Sequence, residues 1–516
     1  MMSIMMRSLL PIFVAVTSVT ISIARIDAGH PNIVYVLADD MGYGDVAALN
    51  PQCKIKTPNL DKLAAGGMVF SDAHSSSSVC TPTRYGLLTG RYNWRSRLKQ
   101  GVLYGYDRRL IEADRLTVPA MLREQGYHTA CVGKWHLGWD WPLKDGGIAN
   151  GDRDADTVDF AKPITNGPNS VGFDYFFGIA ASLDMPPYVY IENDRCTEQP
   201  TLTIDRKEFG RGGLAVPGLT AAQVLPDLTS KSVDYIRSQT RDNRDGQPFF
   251  LYFPLPAPHT PIAPTKDWQG KSGISKYCDF VMQVDDTVGQ VMSALDEADV
   301  TDNTLFIFTA DNGCSPAANI PEMHRNGHRP NHHFRGHKAD IFDGGHRVPF
   351  IARWPESVKA GSKSDQLICL TDLMATTAQV TGIQLPDDAG EDSVSYLPAL
   401  LGTDSGPLRE AVVHHSIRGA FSIRRGDWKL ELCPGSGGWS HPKPGSPAAK
   451  KLPPIQLYNM KHDVGETKNV HAEHPEVVAE LTELLQSHVD RGRSTPGADQ
   501  ANNGAVHLRP QAKQTR

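Results

Sequence analysis

Cys80 stands in the run Ser78-Val79-Cys80-Thr81-Pro82-Thr83-Arg84, followed by Leu87-Leu88-Thr89-Gly90. Pro82 suits the first turn of a helix and Gly90 suits a helix end, so the spacing predicts a short helix over Thr81–Thr89 with Cys80 at its N-terminus. Free N–H groups and the helix dipole favour an anion there and lower a thiol pKa. Local chemistry alone admits both a reactive cysteine and a buried structural one. Two further segments offer oxygen donors. Asp39-Asp40 and Asp311-Asn312 each follow an apolar run. Adjacent carboxylates repel one another unless a cation lies between them, and a hard metal ion is the natural partner. Lys134 and His136 put a cation and an imidazole one residue apart, which suits an anion site with a proton-transfer group. His259, flanked by Pro258 and Pro261, is a candidate general acid.

The elements that must position these groups are legible around them. Asn32–Leu37, Tyr127–Val132, Pro248–Phe253 and Leu305–Thr309 are continuous apolar runs rich in β-branched and aromatic residues, the pattern of strands buried on both faces in a parallel sheet. Each ends in polar residues, and open α/β sheets bind ligands beyond the carboxyl ends of their strands. Helical periodicity covers 57–65, 116–125, 227–239, 274–298 and 372–381. From Ala411 the character changes to short strands, Ala411–His414, Ala420–Arg424, Trp428–Glu431 and Leu457–Asn459, closed by a helix over Pro475–Arg491. The expected fold is α/β: a large, mixed, mainly parallel sheet sandwiched by helices, with a smaller C-terminal α+β subdomain built on an antiparallel sheet. The expected boundaries are a catalytic domain over 29–405, the subdomain over 406–494 and a polar, mobile tail over 495–516.

Composition narrows the function classes. The 516 residues carry a net charge of −6, which gives no overall attraction to nucleic acid and no polybasic membrane signature. Arg7, the apolar run Leu9–Ile23 and small residues at Ala24 and Ala28 read as a signal peptide over residues 1–28, cleaved near Ala28. The mature chain is therefore expected to be exported, whether periplasmic, secreted or lysosome-like, with no stable membrane span. None of the eight cysteines forms a Cys-x-x-Cys pair, so a zinc ribbon or thioredoxin-like centre is excluded, and one or two disulfides fit an exported chain.

Taken together, Cys-x-Pro-x-Arg with Leu-Leu-Thr-Gly, Asp39-Asp40, Gly126-Tyr127-His128-Thr129 through Gly133-Lys134-Trp135-His136, Pro258-His259-Thr260-Pro261 and Ala310-Asp311-Asn312-Gly313 resemble, in order, the signatures of the type I, formylglycine-dependent sulfatases of the alkaline-phosphatase-like superfamily. The resemblance spans about residues 31–470, and its look is closest to carbohydrate sulfatases of the N-acetylgalactosamine-6-sulfatase and arylsulfatase A type. It implies that Cys80 is converted to formylglycine by a formylglycine-generating enzyme. It implies one calcium ion held by Asp39, Asp40, Asp311 and Asn312, with the modified Cys80 alongside. Arg84 would hold the formylglycine, Lys134 and Lys338 would neutralise the sulfuryl oxygens, His259 would protonate the leaving oxygen and His136 would deprotonate the second hydroxyl. The substrate implied is a sulfated galactose or N-acetylgalactosamine unit of a glycan, cleaved in exo mode. A phosphoester or phosphonate hydrolase of the same superfamily, and a non-catalytic sulfoglycan-binding protein with Cys80 unmodified, are the competing readings.

Three segments depart from the pattern or stand outside it. Around Lys338 the family shows Gly-Lys-Gly and then an acid-Gly-Gly, whereas this chain has His337, Ala339 and Asp343. Residues 324–346 hold six histidines at a spacing that fits no compact zinc or nickel pattern, so a polar loop facing the substrate is the expectation. Residues 139–226 are rich in Gly, Pro, Asp and Asn with weak periodicity, and Leu183–Tyr190 within them mixes aromatics with an acid in a way that suits a sugar pocket.

Overall fold

The computed structural model describes residues 30–242 and 246–509; the segment read as a signal peptide lies outside them. The apolar runs form the centre of a ten-stranded sheet. In chain order its strands are β1 (Asn32–Ala38), β2 (Met68–Phe70), β3 (His128–Lys134), β4 (Tyr175–Ile179), β5 (Ile191–Glu192), β6 (Arg195–Cys196), β7 (Phe249–Pro254), β8 (Thr304–Ala310), β9 (Phe350–Arg353) and β10 (Ser362–Ser364). They lie in the spatial order β10-β2-β9-β8-β1-β7-β3-β4-β5-β6. The five strands β8-β1-β7-β3-β4 are mutually parallel, with Tyr35 of β1 in register between Tyr252 of β7 and Ile307 of β8. β9 runs antiparallel and makes the sheet mixed. Every residue of β7 and β8 is buried, as continuous apolar runs require in a sheet covered on both faces.

Two groups of helices pack on this sheet. One consists of Pro58–Ala65, Ala221–Asp242 and Lys276–Glu297; the other of Cys80–Thr89, Val118–Glu124 and Leu373–Val380. Five parallel strands put five carboxyl ends along one edge, and the candidate residues follow four of the predicted runs to that edge. The fifth end belongs to β4, inside the 139–226 segment that reads as loop. Gly178 interrupts its apolar run and hides it from a periodicity reading.

A second sheet of four antiparallel strands, Val412–His415, Phe421–Arg425, Trp428–Glu431 and Gln456–Asn459, pairs in sequence order and carries the helix Pro475–Asp490. Its apolar core of Val413, Ile423, Leu430, Leu457 and Leu485 is completed by Tyr92 and Trp94, which follow the Cys80 helix in the chain. The two sheets thus share side chains. The chain beyond Ser494, expected to be mobile, is tied down through residue 503. Arg91 donates to Ala501 O at 2.6 Å, Arg95 donates to Asn502 Oδ1 at 3.0 Å, and Asn503 N donates to Arg95 O at 2.6 Å. Two buried guanidinium groups need acceptors, and a polar tail supplies them. All eight cysteines are free in this structure, which forms none of the one or two disulfides that an exported chain allows. No helix among the described residues is long and apolar enough to cross a membrane.

Candidate active site

The strand ends bring Asp39, Asp40, Lys134, His136, His259, Asp311 and Asn312 to the carboxyl edge of the sheet, where the Cys80 helix and the Lys338 loop meet them. Cys80 opens the helix Cys80–Thr89, and Arg84 follows it one turn later on the same helix. Arg84 is fully buried; its Nη2 lies 2.9 Å from Asp311 Oδ2 and 3.4 Å from Asp39 Oδ2, and its Nη1 donates to Lys134 O at 3.0 Å. The guanidinium therefore pins three strand ends to the cysteine helix. Lys134 Nζ pairs with Asp39 and donates to Ser182 Oγ at 2.6 Å. Lys338 Nζ lies 2.7 Å from Asp40 Oδ2, and Asn312 Nδ2 donates to Asp40 Oδ1 at 2.7 Å. Asp40 and His136 both hold left-handed backbones, φ 64° and 57°, a strain that surrounding structure must impose.

The electrostatics are those of a crowded anion and cation cluster in a dry place. Burial alone would raise Asp39, but Lys134, His259, Arg84 and Lys338 outweigh it and hold the carboxyl well below its usual range. Asp311 goes the other way: burial and the charge of Asp39 push it up to about 7. Asp39 Oδ1 and Asn312 Oδ1 are buried without hydrogen-bond partners, and one carboxylate oxygen from each of Asp39, Asp40 and Asp311 lie within 4.8 Å of one another. An all-oxygen donor set with orphaned acceptors fits a hard divalent cation such as calcium. Cys80 Sγ lies within 4.8 Å of Asp39 and His259 ligand atoms. Burial raises the Cys80 thiol above its ordinary value, in spite of Lys134, Lys338 and the helix start. The lowered pKa expected of a cysteine at a helix N-terminus is not found, and an unmodified Cys80 is a poor nucleophile.

The two histidines occupy different positions. His259 lines the cavity above Cys80; its Nδ1 lies 2.7 Å from Thr260 O and its Nε2 3.5 Å from Asp40 Oδ2. His136 is fully buried. Its Nε2–H donates to Leu103 O at 2.7 Å, and its Nδ1 has no partner. Burial, with Lys134 and Arg84 nearby, holds His136 neutral by lowering its pKa well below the usual value, so Nδ1 is a proton acceptor.

The cavity measures about 260 Å³. Ser182, Asp184 and Met185 line it, in keeping with the pocket role read for Leu183–Tyr190. Arg211, Tyr104 and Trp439 complete the wall and were not legible as site residues. Arg211 lies over the Tyr104 ring at 5.3 Å and reaches Asp184 at 3.5 Å. Trp439 comes from the Gly- and Pro-rich stretch between strands of the second sheet, where a lone tryptophan was the available signal, and it stays 37% exposed. The histidine-rich stretch corrects an expectation. None of its six histidines lines the cavity; only Lys338 does. His328 is buried against Asp45 at 2.7 Å, His346 is buried against His74 and His414, and His332 and His333 contact Phe334. The loop around Lys338 keeps the glycine-type conformation despite the substitution, because Ala339 sits at φ 81°.

The sulfatase family model matches residues 31–383. An N-acetylgalactosamine-6-O-sulfatase from Bacteroides thetaiotaomicron is 34% identical over 500 residues, covering 89% of this chain and 93% of its own. Human arylsulfatase A is 32% identical over 478 residues, covering 89% and 87%. A solved structure from the metabolism of multiple glycosaminoglycans by Bacteroides thetaiotaomicron superposes with a TM-score of 0.76 at 33% identity, covering 89% of this chain and 99% of the other. With the mainly parallel sheet of the alkaline-phosphatase-like superfamily and the Cys80 cluster at its carboxyl edge, this chain belongs to the sulfatase family and is a sulfuric ester hydrolase.

Proposed function

We propose that the protein is an exported carbohydrate sulfatase that removes sulfate from galactose or N-acetylgalactosamine residues at a glycan end, with Cys80 matured to formylglycine by a formylglycine-generating enzyme and one calcium ion held by Asp39, Asp40, Asp311 and Asn312. The observation that carries the reading is the convergence of Cys80, the oxygen cluster, Lys134 and Lys338 beneath one small cavity. When present, formylglycine supplies a hydrated aldehyde as nucleophile and calcium supplies positive charge to the sulfate oxygens. Arg84 holds the head of the cysteine helix against Asp39 and Asp311 and fixes the direction of attack. Lys134 and Lys338 gather the sulfuryl oxygens from two sides and gain strength as substrate expels water. His259 presents Nε2 to the cavity with its Nδ1–H donated to Thr260 O; it gives the leaving alcohol oxygen a proton from Nε2 as the imidazolium, a form that burial and Lys338 oppose and Asp40 and Asp39 favour. His136, with Nδ1 free, suits removal of the proton that regenerates the aldehyde. Such groups contribute about 10²–10⁴-fold each.

The carbohydrate reading rests on the named relatives and on the wall of Tyr104, Trp439, Arg211 and Asp184, an aromatic and hydrogen-bonding surface of the kind that grips a sugar ring. The small volume favours a terminal residue over an internal one. The test compares catalytic efficiency on 4-nitrophenyl sulfate, 4-nitrophenyl phosphate and a phenylphosphonate ester, then on 6-sulfated N-acetylgalactosamine with and without a blocking sugar at its reducing and non-reducing sides. Preference for phosphate or phosphonate would replace the sulfatase reading. Turnover of internal residues alone would replace the exo mode.

A further inference from the structure

Outside the active site, three histidines from distant segments meet in a fully buried cluster. His74 follows the strand Met68–Phe70, His346 ends the short helix Asp343–His346, and His414 lies in the first strand of the second sheet. We propose that His74 Nδ1, His346 Nδ1 and His414 Nε2 form a binding site for a transition-metal ion of the zinc, copper or nickel class, which joins the two sheets. The sequence hides such a site because His74 lies 272 residues before His346 and His414 lies in a different sheet, so the histidine-rich stretch alone shows no ligand spacing.

The far side of each ring carries the argument. His74 Nε2 lies 2.8 Å from Asp72 Oδ1, His346 Nε2 lies 3.0 Å from Ile341 O, and His414 Nδ1 lies 3.1 Å from Ser75 O. The acceptor oxygens put the proton of His74 on Nε2 and that of His414 on Nδ1, leaving lone pairs on the proximal nitrogens; His346 carries its proton on Nε2 when Lys429, 3.2 Å from that atom, directs its own protons to Ile341 O and the neighbouring acids. This is the outer-shell arrangement that fixes the tautomer of metal-ligating histidines. The three ligand atoms all lie within 4.8 Å of one another, His74 Nδ1 and His346 Nδ1 are 3.0 Å apart, and His414 Nε2 is buried without any hydrogen-bond partner. Two lone pairs at 3.0 Å need a cation or a proton between them. Burial lowers the pKa of all three rings and so keeps them in the neutral form that ligates a metal ion. Imidazole nitrogens without thiolates or a converging carboxylate suit zinc, copper or nickel rather than calcium. Around the cluster, Asp72, Asp343, Glu431 and Glu466 stand against Arg347, Arg424 and Lys429, so added positive charge meets acids on several sides. His346 and His414 stack at 3.7 Å with their planes 12° apart. Metal binding would splay these two rings. The alternative arrangement is a proton chain, in which Lys429 donates to His346 Nε2 at 3.2 Å and His346 Nδ1–H donates to His74.

The experiment uses the full-length protein, dialysed against a chelator, returned to calcium, and incubated with zinc or cobalt(II) before gel filtration and elemental analysis. The proposal expects a single equivalent of zinc or cobalt retained, visible cobalt absorption of a nitrogen-ligated site, and a higher melting temperature. His414→Ala should lose the retained metal, and Asp72→Asn should weaken binding by about 10–100-fold, the usual cost of losing an outer-shell partner. Both effects are read by stoichiometry rather than turnover. Should His414→Ala fail to fold, wild type decides alone. Wild-type protein that keeps no zinc or cobalt overturns the proposal, as does a ¹⁵N spectrum showing His346 protonated at Nδ1 in the presence of either metal. Undiminished binding in a folded His414→Ala overturns it equally.

Discussion

Replacing Lys338 by Met should tighten calcium binding while it removes turnover, two effects of opposite sign from one side chain. Lys338 Nζ lies 2.7 Å from Asp40 Oδ2, a proposed calcium ligand; burial opposes its charge, but Asp40, Cys80, Asp39 and Asp311 together outweigh burial, so the lysine is held protonated. Calcium binds carboxylate oxygens at about 2.3–2.6 Å, which sets the ion roughly 4–5 Å from the ammonium. At an effective dielectric of ~20 the repulsion between a divalent and a monovalent cation at that separation is on the order of 7 kcal/mol, most of it offset by Asp40 between them. A residual of ~1.4 kcal/mol would already tighten calcium tenfold. Met keeps the length and apolar stem of the side chain and deletes the charge. The same deletion removes a cation from the sulfuryl oxygens, for which loss of one electrostatic contact costs ~10²–10³ in kcat. In calcium-free protein Asp40 would keep the Asn312 amide as its closest donor, and loss of one partner from a buried pair costs about 3–5 kcal/mol. The variant should therefore also show a larger rise in melting temperature on adding calcium than wild type. Calorimetric titration of chelated protein and 4-nitrophenyl sulfate turnover are the assays. Unchanged or weaker calcium binding, or kcat within about threefold of wild type, would refute the reasoning.

Other perturbations follow from the same geometry. Ala339→Gly should stabilise the protein by up to ~1 kcal/mol, because a left-handed alanine costs ~1–2 kcal/mol and added unfolded-chain entropy returns part of that; thermal unfolding measures it. Asp72 is pushed up by burial but held below the ordinary carboxylate range by Arg347, His74 and Arg424, so it contributes stability above about pH 4 that disappears as pH falls. Asp72→Asn should therefore flatten the loss of melting temperature on acidification from about pH 4 downward, and an unchanged slope would contradict that pairing. Trp439→Ala should raise KM for a sulfated sugar about tenfold, the loss of an aromatic contact of ~1 kcal/mol or more, while leaving KM for 4-nitrophenyl sulfate nearly unchanged. Chelation of calcium should abolish turnover without unfolding the sheet, and circular dichroism beside the activity assay separates the two.

The oxygen cluster of the active site was legible because its residues follow strands. Once Asn32–Leu37 and Leu305–Thr309 are read as parallel neighbours, Asp39-Asp40 and Asp311-Asn312 must meet, and the pairing of Tyr35 with Ile307 is that register. Lys338 was legible only through its resemblance to the family motif, since no strand delivers it. What escaped the sequence depends on contacts between distant segments. Arg211 and Trp439 reach the cavity from loops without periodicity, and β4 is broken by Gly178. The thiol pKa was misjudged because a helix start argues for a lowered value, while complete burial, invisible in the sequence, dominates it. The histidines of 324–346 looked like one polar loop; Asp45, His74 and His414 lie far away in the chain and draw two of the rings, His328 and His346, into separate buried contacts.

The central claim is that position 80 carries an aldehyde. It is tested most directly by mass spectrometry of the peptide spanning residue 80, from protein made in a host with formylglycine-generating activity and analysed beside a control sulfatase. The account predicts a residue in which one oxygen replaces sulfur and two hydrogens, together with sulfate release in proportion to the modified fraction. An intact thiol at Cys80, in a preparation where the control is modified and this protein still turns over sulfate esters, would contradict it.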